Sequence, residues 1–207
     1  MGLIMAFFKS PTSKLANSLL TGLKGIEMGA AAHNPFGLDT INVDFTDRLD
    51  TSWAKEQMEN CGEVAKVDVV ADGTKLPFET GQWDFVVSSH CLEHNWDTLG
   101  ALKEWIRVVK PGGIVFTIFP NPEKTFDKGR PRTKLSELIA RHDGSWPRPN
   151  MEGLVPTIHT WVLFHHTVWH LEDALECAKY IGGNEIIATA EEDDKVSNGF
   201  VFVLKKL

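Results

Sequence analysis

The sequence predicts an α/β fold: a Rossmann-like, mainly parallel sheet with helices on both faces and a C-terminal antiparallel hairpin. Three observations carry that expectation. Short β-rich runs alternate with helix-periodic segments, runs such as VDVVA and IVFTIF are continuously apolar, and the last two, EIIATA and FVFVLKKL, are joined by the polar EEDDKVSNG. Continuously apolar strands interleaved with helices belong to a parallel sheet covered on both sides. A chain of 207 residues suits one domain, so residues 1–207 are expected to form a single unit.

Each element follows in order. Ser10, Pro11 and Thr12 signal a helix start, and Leu15, Leu19, Leu20 and Leu23 recur at helical spacing until Gly22 and Gly25 close the element. GIEMGAAAH from Ile26 and TINVDF at 40–45 read as strands, linked through Asn34, Pro35 and Gly37. Ser52 is placed to cap a helix through TSWAKEQMENCGE, followed by a strand over 67–71 that ends at Asp72 and Gly73. QWDFVVSS at 82–89 is the next strand, and Asp97 caps a helix with an apolar stripe of Leu99, Leu102, Ile106 and Val109. Pro111, Gly112 and Gly113 turn into a strand over 114–119, and LEDALECAKYIGG precedes the final hairpin. Residues 120–170 break this rhythm with six prolines and read as an insertion forming a flap on the substrate side.

The composition excludes several function classes. A net charge of −7 argues against nucleic acid or anionic lipid as partner. Cys61, Cys91 and Cys177 are odd in number and lack CxxC spacing, which suits a reducing cytoplasm rather than a disulfide framework. The apolar start MGLIMAFF is too short to span a membrane, has no basic residue ahead of it, and is expected to be packed or frayed.

In an open parallel sheet ligands bind beyond the carboxyl ends of the strands, so the residues closing each strand are the candidates. These are Glu27 and Gly29, Asp44, Asp72 and Gly73, and Ser89 with His90. Asp44 is placed to accept both hydrogen bonds of a ribose diol, and Asp72 to accept from an adenine amino group. Gly29 permits close backbone approach and Ala30 to Ala32 are too small to obstruct a ligand. The triple glycine of a dinucleotide fingerprint is missing, which disfavours a nicotinamide oxidoreductase.

Taken in serial order, GIEMGAAAH, INVDF, VVADGTKLPF, WDFVVSSHCLEH and LKEWIRVVKPGG resemble the motifs of the class I S-adenosylmethionine-dependent methyltransferases over roughly residues 24–120. The resemblance implies S-adenosylmethionine as cofactor, lined by Glu27, Gly29, Ala30, Asp44, Asp72, Gly73 and His90. It requires no metal. Ala31 and His33 stand near the places of two further family glycines, and HNPFGLD replaces a long crossover helix.

A sulfonium methyl is already activated, so the enzyme's task is alignment, with a base when the acceptor is a hydroxyl. His94 and His166 are the base candidates, the latter chosen from a group that includes His159, His165 and His170. HCLEH also matches the HxxEH spacing of zinc peptidases, but the segment directly follows a strand and leaves little room for the long helix such a site needs. Residues 121–150 carry seven Lys or Arg against four Asp or Glu, and Arg130 and Arg132 are the candidates to grip an acceptor bearing phosphate or carboxylate. KTFDKGRPRTKLSELIARHDG and HNPFGLDTINVD resemble segments of small methyltransferases associated with glycan tailoring, which implies O-methylation of a small-molecule or glycan-linked acceptor. Transfer to nitrogen and a cofactor-binding module without chemistry are the alternatives.

Overall fold

The computed structural model describes residues 9–150 and 164–207. His159, Trp161 and the apolar start lie outside the described residues. The elements are α1 (Lys14–Leu20), β1 (Lys24–Met28), β2 (Asp39–Asp44), α2 (Ser52–Cys61), β3 (Val69–Val70), β4 (Trp83–Ser89), α3 (Thr98–Val108), β5 (Val109–Pro120), α4 (Leu135–His142), α5 (Leu171–Ile181), β6 (Asn184–Ala190) and β7 (Gly199–Lys206). Short 3-10 turns at Leu92–His94 and Pro122–Lys124 follow β4 and β5.

Among the described residues the sheet has seven strands in the order β3-β2-β1-β4-β5-β7-β6. The first five are parallel, and β7 runs antiparallel between β5 and β6. The expected fold class is the observed one, terminal hairpin included. The strand order reverses between β1 and β4, and in such sheets that reversal opens a crevice at the strands' carboxyl ends.

Both faces of the sheet are covered, as continuously apolar strands require. Along β4, Phe85 and Val87 pack on one side with Ala16, Leu20, Phe36 and Phe116, while Val86 packs on the other with Leu102, Trp105, Trp169 and Phe202. The alternation is the two-residue period of a strand, with apolar partners waiting on each side.

Several boundaries differ from the sequence reading for identifiable reasons. Ser13, not Ser10 to Thr12, caps α1 by accepting from the Ala16 amide, and the helix stops at Leu20. Gly25 belongs to β1, where it pairs with Thr40 and Phe85, and a Cβ there would lie 2.5 Å from the Phe85 ring. Thr51 rather than Ser52 caps α2. The paired part of β3 is only Val69–Val70, an edge strand bonded on one side to β2. Val109, expected to end the stripe of α3, opens β5.

The 120–170 stretch is not irregular throughout. α4 buries Leu138 in the core, and its His142 Nδ1 lies 2.8 Å from Asp97 Oδ2, the same side chain whose Oδ1 accepts the Gly100 amide at the start of α3. Arg141 of α4 donates to the His166 carbonyl at 2.7 Å. Those two contacts tie α4 to the start of α3 and to the segment that carries His166.

Candidate active site

A cavity of about 900 Å³ opens over the carboxyl ends of β1 to β4. Gly29, Ala30, Asp44, Asp72, Gly73, His90, His94 and His166 all line it, so most of the sequence candidates converge. Three do not. Glu27 alternates to the opposite side of β1, where it is buried, accepts from Thr40 Oγ1 at 3.3 Å and faces the Lys195 ammonium. Arg130 pairs with Asp127 and donates to the His165 carbonyl at 2.9 Å. Arg132 is engaged by Asp173 at 2.6 Å and Glu172 at 3.0 Å near the start of α5. The cationic residues that do line the cavity are Arg48, paired with Asp50, Lys66, paired with Asp68, and Arg148.

The strand tips are shaped for a ligand. Gly29 has φ +66°, and a Cβ on it would stand 3.0 Å from Cys91 Sγ, so the turn out of β1 accommodates glycine alone without strain. Asp44 closes β2, and its Oδ1 accepts the Phe45 amide at 2.6 Å. Burial pushes the Asp44 carboxyl up from its ordinary value against the pull of the Phe45 and Thr46 amides. Gly73 lies under the Asn95 amide, where a Cβ would be 2.5 Å from Oδ1.

The opposite wall is aromatic and basic. Trp53 stands edge-on to Phe45, His94 and Phe164, with ring centroids 5.5 to 6.3 Å apart. The Arg141 guanidinium lies 4.4 Å over the Trp96 ring, which itself meets His166 edge-on. Burial pushes His94 down to about 3 and His166 and His90 down to about 4. At neutral pH these rings are uncharged, since desolvation disfavours the imidazolium. His90 sits at φ +51°, an unusual backbone for a side chain with a Cβ and a form of strain that clusters at functional sites.

Behind His94 and His90 lies the glutamate of HCLEH, a motif the sequence reading weighed as a metal site and set aside. Glu93 is wholly buried, both of its carboxylate oxygens lack a hydrogen-bond partner among the described residues, and burial pushes its carboxyl up to about 7. His165 adjoins it and Asp127. HCLEH and FHHTVW supplied the only sequence signals for this cluster, and Asp127 had none.

The cavity suits the cofactor that the motifs imply. The Asp44 carboxylate at the β2 tip can take a ribose diol, Gly29 keeps side-chain atoms off the β1 turn, and the volume exceeds what one nucleoside needs.

Comparisons with known proteins agree. Residues 22–117 match the family described as "Methyltransferase domain". A demethylmenaquinone methyltransferase of Staphylococcus saprophyticus is 32% identical over 77 residues, covering 37% of this chain and 32% of the relative. The chain thus aligns with about a third of the length of the curated relatives it matches. Among solved structures, a SAM-dependent methyltransferase from Methanosarcina mazei superposes with a TM-score of 0.53 at 17% identity, covering 93% of this chain and 96% of that one. Another from Aquifex aeolicus gives 0.50 at 16% identity, covering 91% and 85%. Among the described residues no helix is long and apolar enough to cross a membrane. Over residues 22–117 the chain is thus similar to a methyltransferase domain, the sheet order and the cavity at its switch point are those of the same fold, and the likeness indicates S-adenosylmethionine as the cofactor.

Proposed function

We propose that this protein moves a methyl group from S-adenosylmethionine to an oxygen of a small sugar-related or anionic acceptor, free or glycan-linked, in the cytoplasm. The observation that carries this reading is the shape of the cavity. Its strand-tip side offers Gly29, Asp44 and Asp72 to the cofactor, and its far side offers Trp53, Trp96, His94, His166 and Arg148 to a second molecule. At about 900 Å³ it lies toward the upper end of small-molecule sites, with room for donor and acceptor together.

When bound, the cofactor supplies an activated methyl group, and the residues supply alignment and proton handling. Arg148 suits a phosphate or carboxylate on the acceptor. His94 Nδ1 donates to the Phe164 carbonyl at 2.8 Å, which leaves Nε2 without a proton, 3.9 Å from the buried Glu93. Its depressed pKa makes it an orienting acceptor more than a proton sink. Glu93, pushed up to about 7 behind it, has the higher proton affinity at neutral pH.

The glycan assignment is supported by the HNPFGLDTINVD and KTFDKGRPRTKLSELIARHDG segments. The aromatic wall around Trp53, together with the similarity to demethylmenaquinone methyltransferases, favours a planar quinol-like acceptor as a second reading.

The test is mass spectrometry of reactions with an isotopically labelled methyl donor over sugar, nucleotide-sugar, phosphorylated, phenolic and amine acceptors. Label on a sugar or anionic-acceptor oxygen supports the reading. Label on a phenol moves it to the second, and label on nitrogen overturns the O-methylation claim. Binding of S-adenosylhomocysteine with no turnover on any acceptor points to a binding module, and no binding heat at all removes the proposal.

A further inference from the structure

Three lone-pair-bearing atoms meet in the interior with no donor between them. His94 Nδ1 lies 2.8 Å from the Phe164 carbonyl, which only accepts, so Nδ1 carries the ring proton and Nε2 is bare. His165 Nδ1 lies 2.6 Å from Asp127 Oδ2, and the same logic leaves its Nε2 bare. Both bare nitrogens point at Glu93 Oε1, at 3.9 Å from His94 and 3.7 Å from His165. The Glu93 carboxylate is wholly buried and has no hydrogen-bond partner on either oxygen among the described residues.

Such a convergence of acceptors is costly unless something positive occupies its centre. A proton on Glu93 does not close the gap, because contacts of 3.7 and 3.9 Å are beyond hydrogen-bond reach. A divalent cation does. Tetrahedral arms of about 2.1 Å place neighbouring ligand atoms about 3.4 Å apart, close to the 3.7 and 3.9 Å found here. One ligand atom from each of His94, His165 and Glu93 already lies within 4.8 Å of the others.

The surroundings are those of a metal site. Each imidazole is held by a hydrogen bond from its far nitrogen, to a carbonyl in one case and to a carboxylate in the other, the arrangement that fixes tautomer and aim in metal-bound histidines. Asp127 is in turn paired with Arg130, which also donates to the His165 carbonyl at 2.9 Å. The two segments are tied directly, since the His166 amide donates to the Glu93 carbonyl at 2.8 Å. On the cavity side, His90 Nδ1 stands 3.9 Å from the same Glu93 oxygen.

The geometry points to a binding site for a divalent first-row transition metal, zinc(II) in type, made by His94 Nε2, His165 Nε2 and the Glu93 carboxylate, with its open position toward the cavity. Two imidazoles and one carboxylate are a donor set for zinc or iron(II) rather than for calcium or magnesium. Binding at this site stands independently of the proposed reaction. Its use there, as a seat for the acceptor oxygen, rests on that reading. Arg130 and Asp127 become positioning residues that aim His165.

The experiment titrates cobalt(II) into the chelator-treated full chain and follows visible ligand-field absorption, with zinc(II) competition and S-adenosylhomocysteine calorimetry on the same samples. One saturable equivalent of cobalt, displaced by zinc, is expected. Glu93→Gln and His165→Gln should abolish it, and Asp127→Asn should weaken it by about 10–100-fold. Each variant must still bind S-adenosylhomocysteine, which shows that it is folded. Absence of saturable uptake by wild-type protein that binds S-adenosylhomocysteine overturns the site. So does uptake unchanged in folded Glu93→Gln and His165→Gln. Metal uptake without S-adenosylhomocysteine binding in the wild type leaves the site standing and defeats the methyl-transfer reading instead.

Discussion

The indole nitrogen of Trp105 donates to the carbonyl of Gly73 at 3.1 Å, tying a fully buried side chain of α3 to the loop that closes β3. The loop on which Asp72 and Gly73 reach the cavity is therefore held from inside the core. Trp105→Phe removes the donor and leaves a void where the larger ring stood. The expected result is a loss of about 1–3 kcal/mol in urea denaturation, with weaker S-adenosylhomocysteine binding by calorimetry. An unchanged denaturation midpoint would show that this tether contributes nothing.

Asp44→Asn should separate binding from stability. Burial raises the Asp44 carboxyl, so the fold favours its protonated form. The stability from that preference is present below the ordinary carboxylate range and is lost as pH rises through the folded value. At neutral pH the amide variant is expected to be as stable as the wild type or more so. Cofactor affinity should fall about 10–100-fold, the scale of one hydrogen bond to a charged group. Equal cofactor affinity in the two proteins would remove Asp44 from the site.

Lys195 gives the molecule a pH signature at the alkaline end. Its side chain is buried over the Phe36 ring and donates to the Asn34 carbonyl at 2.6 Å, and burial pushes it down to about 8. Between about 8 and the ordinary value of 10.5 the unfolded chain binds more protons at this position than the folded one. Stability from this group therefore rises with pH across that window, by on the order of 3 kcal/mol in total. Chemical denaturation at several pH values should show this slope in the wild type and its loss in Lys195→Met, whatever the variant's absolute stability.

Arg132 and Arg148 should part company. Arg132 is tied to Asp173 and Glu172 at the surface, and such exposed pairs contribute about 0–1 kcal/mol. Arg132→Ala is expected to leave acceptor KM unchanged. Arg148 lines the cavity, and Arg148→Ala should raise KM for an anionic acceptor several-fold while leaving S-adenosylhomocysteine affinity intact. The reverse pattern would return the acceptor contact to the place the charge pattern alone suggested.

How far the site was legible depended on how local its residues are. Gly29, Asp44, Asp72, Gly73 and His90 follow strand ends, and a strand end is written in the sequence as the close of an apolar run. Glu27 closes such a run too, yet one step of strand period turns it to the other face, toward Lys195, some 170 residues away in the chain. Arg130 and Arg132 read correctly as cations in a positively charged segment, but their partners Asp127, Asp173 and Glu172 were assigned only by folding.

By itself, the order of apolar runs, helical stripes and turn residues determined an α/β sheet with a C-terminal hairpin and a ligand crevice at its strand tips, because periodicity and burial are local properties of the chain. The meeting of Glu93 and His94 with His165 and Asp127 was a decision of the tertiary structure. It depends on a return of the chain after α4 that no local pattern encodes, and on hydrogen bonds from Arg141 and Arg130 that set where that return lies.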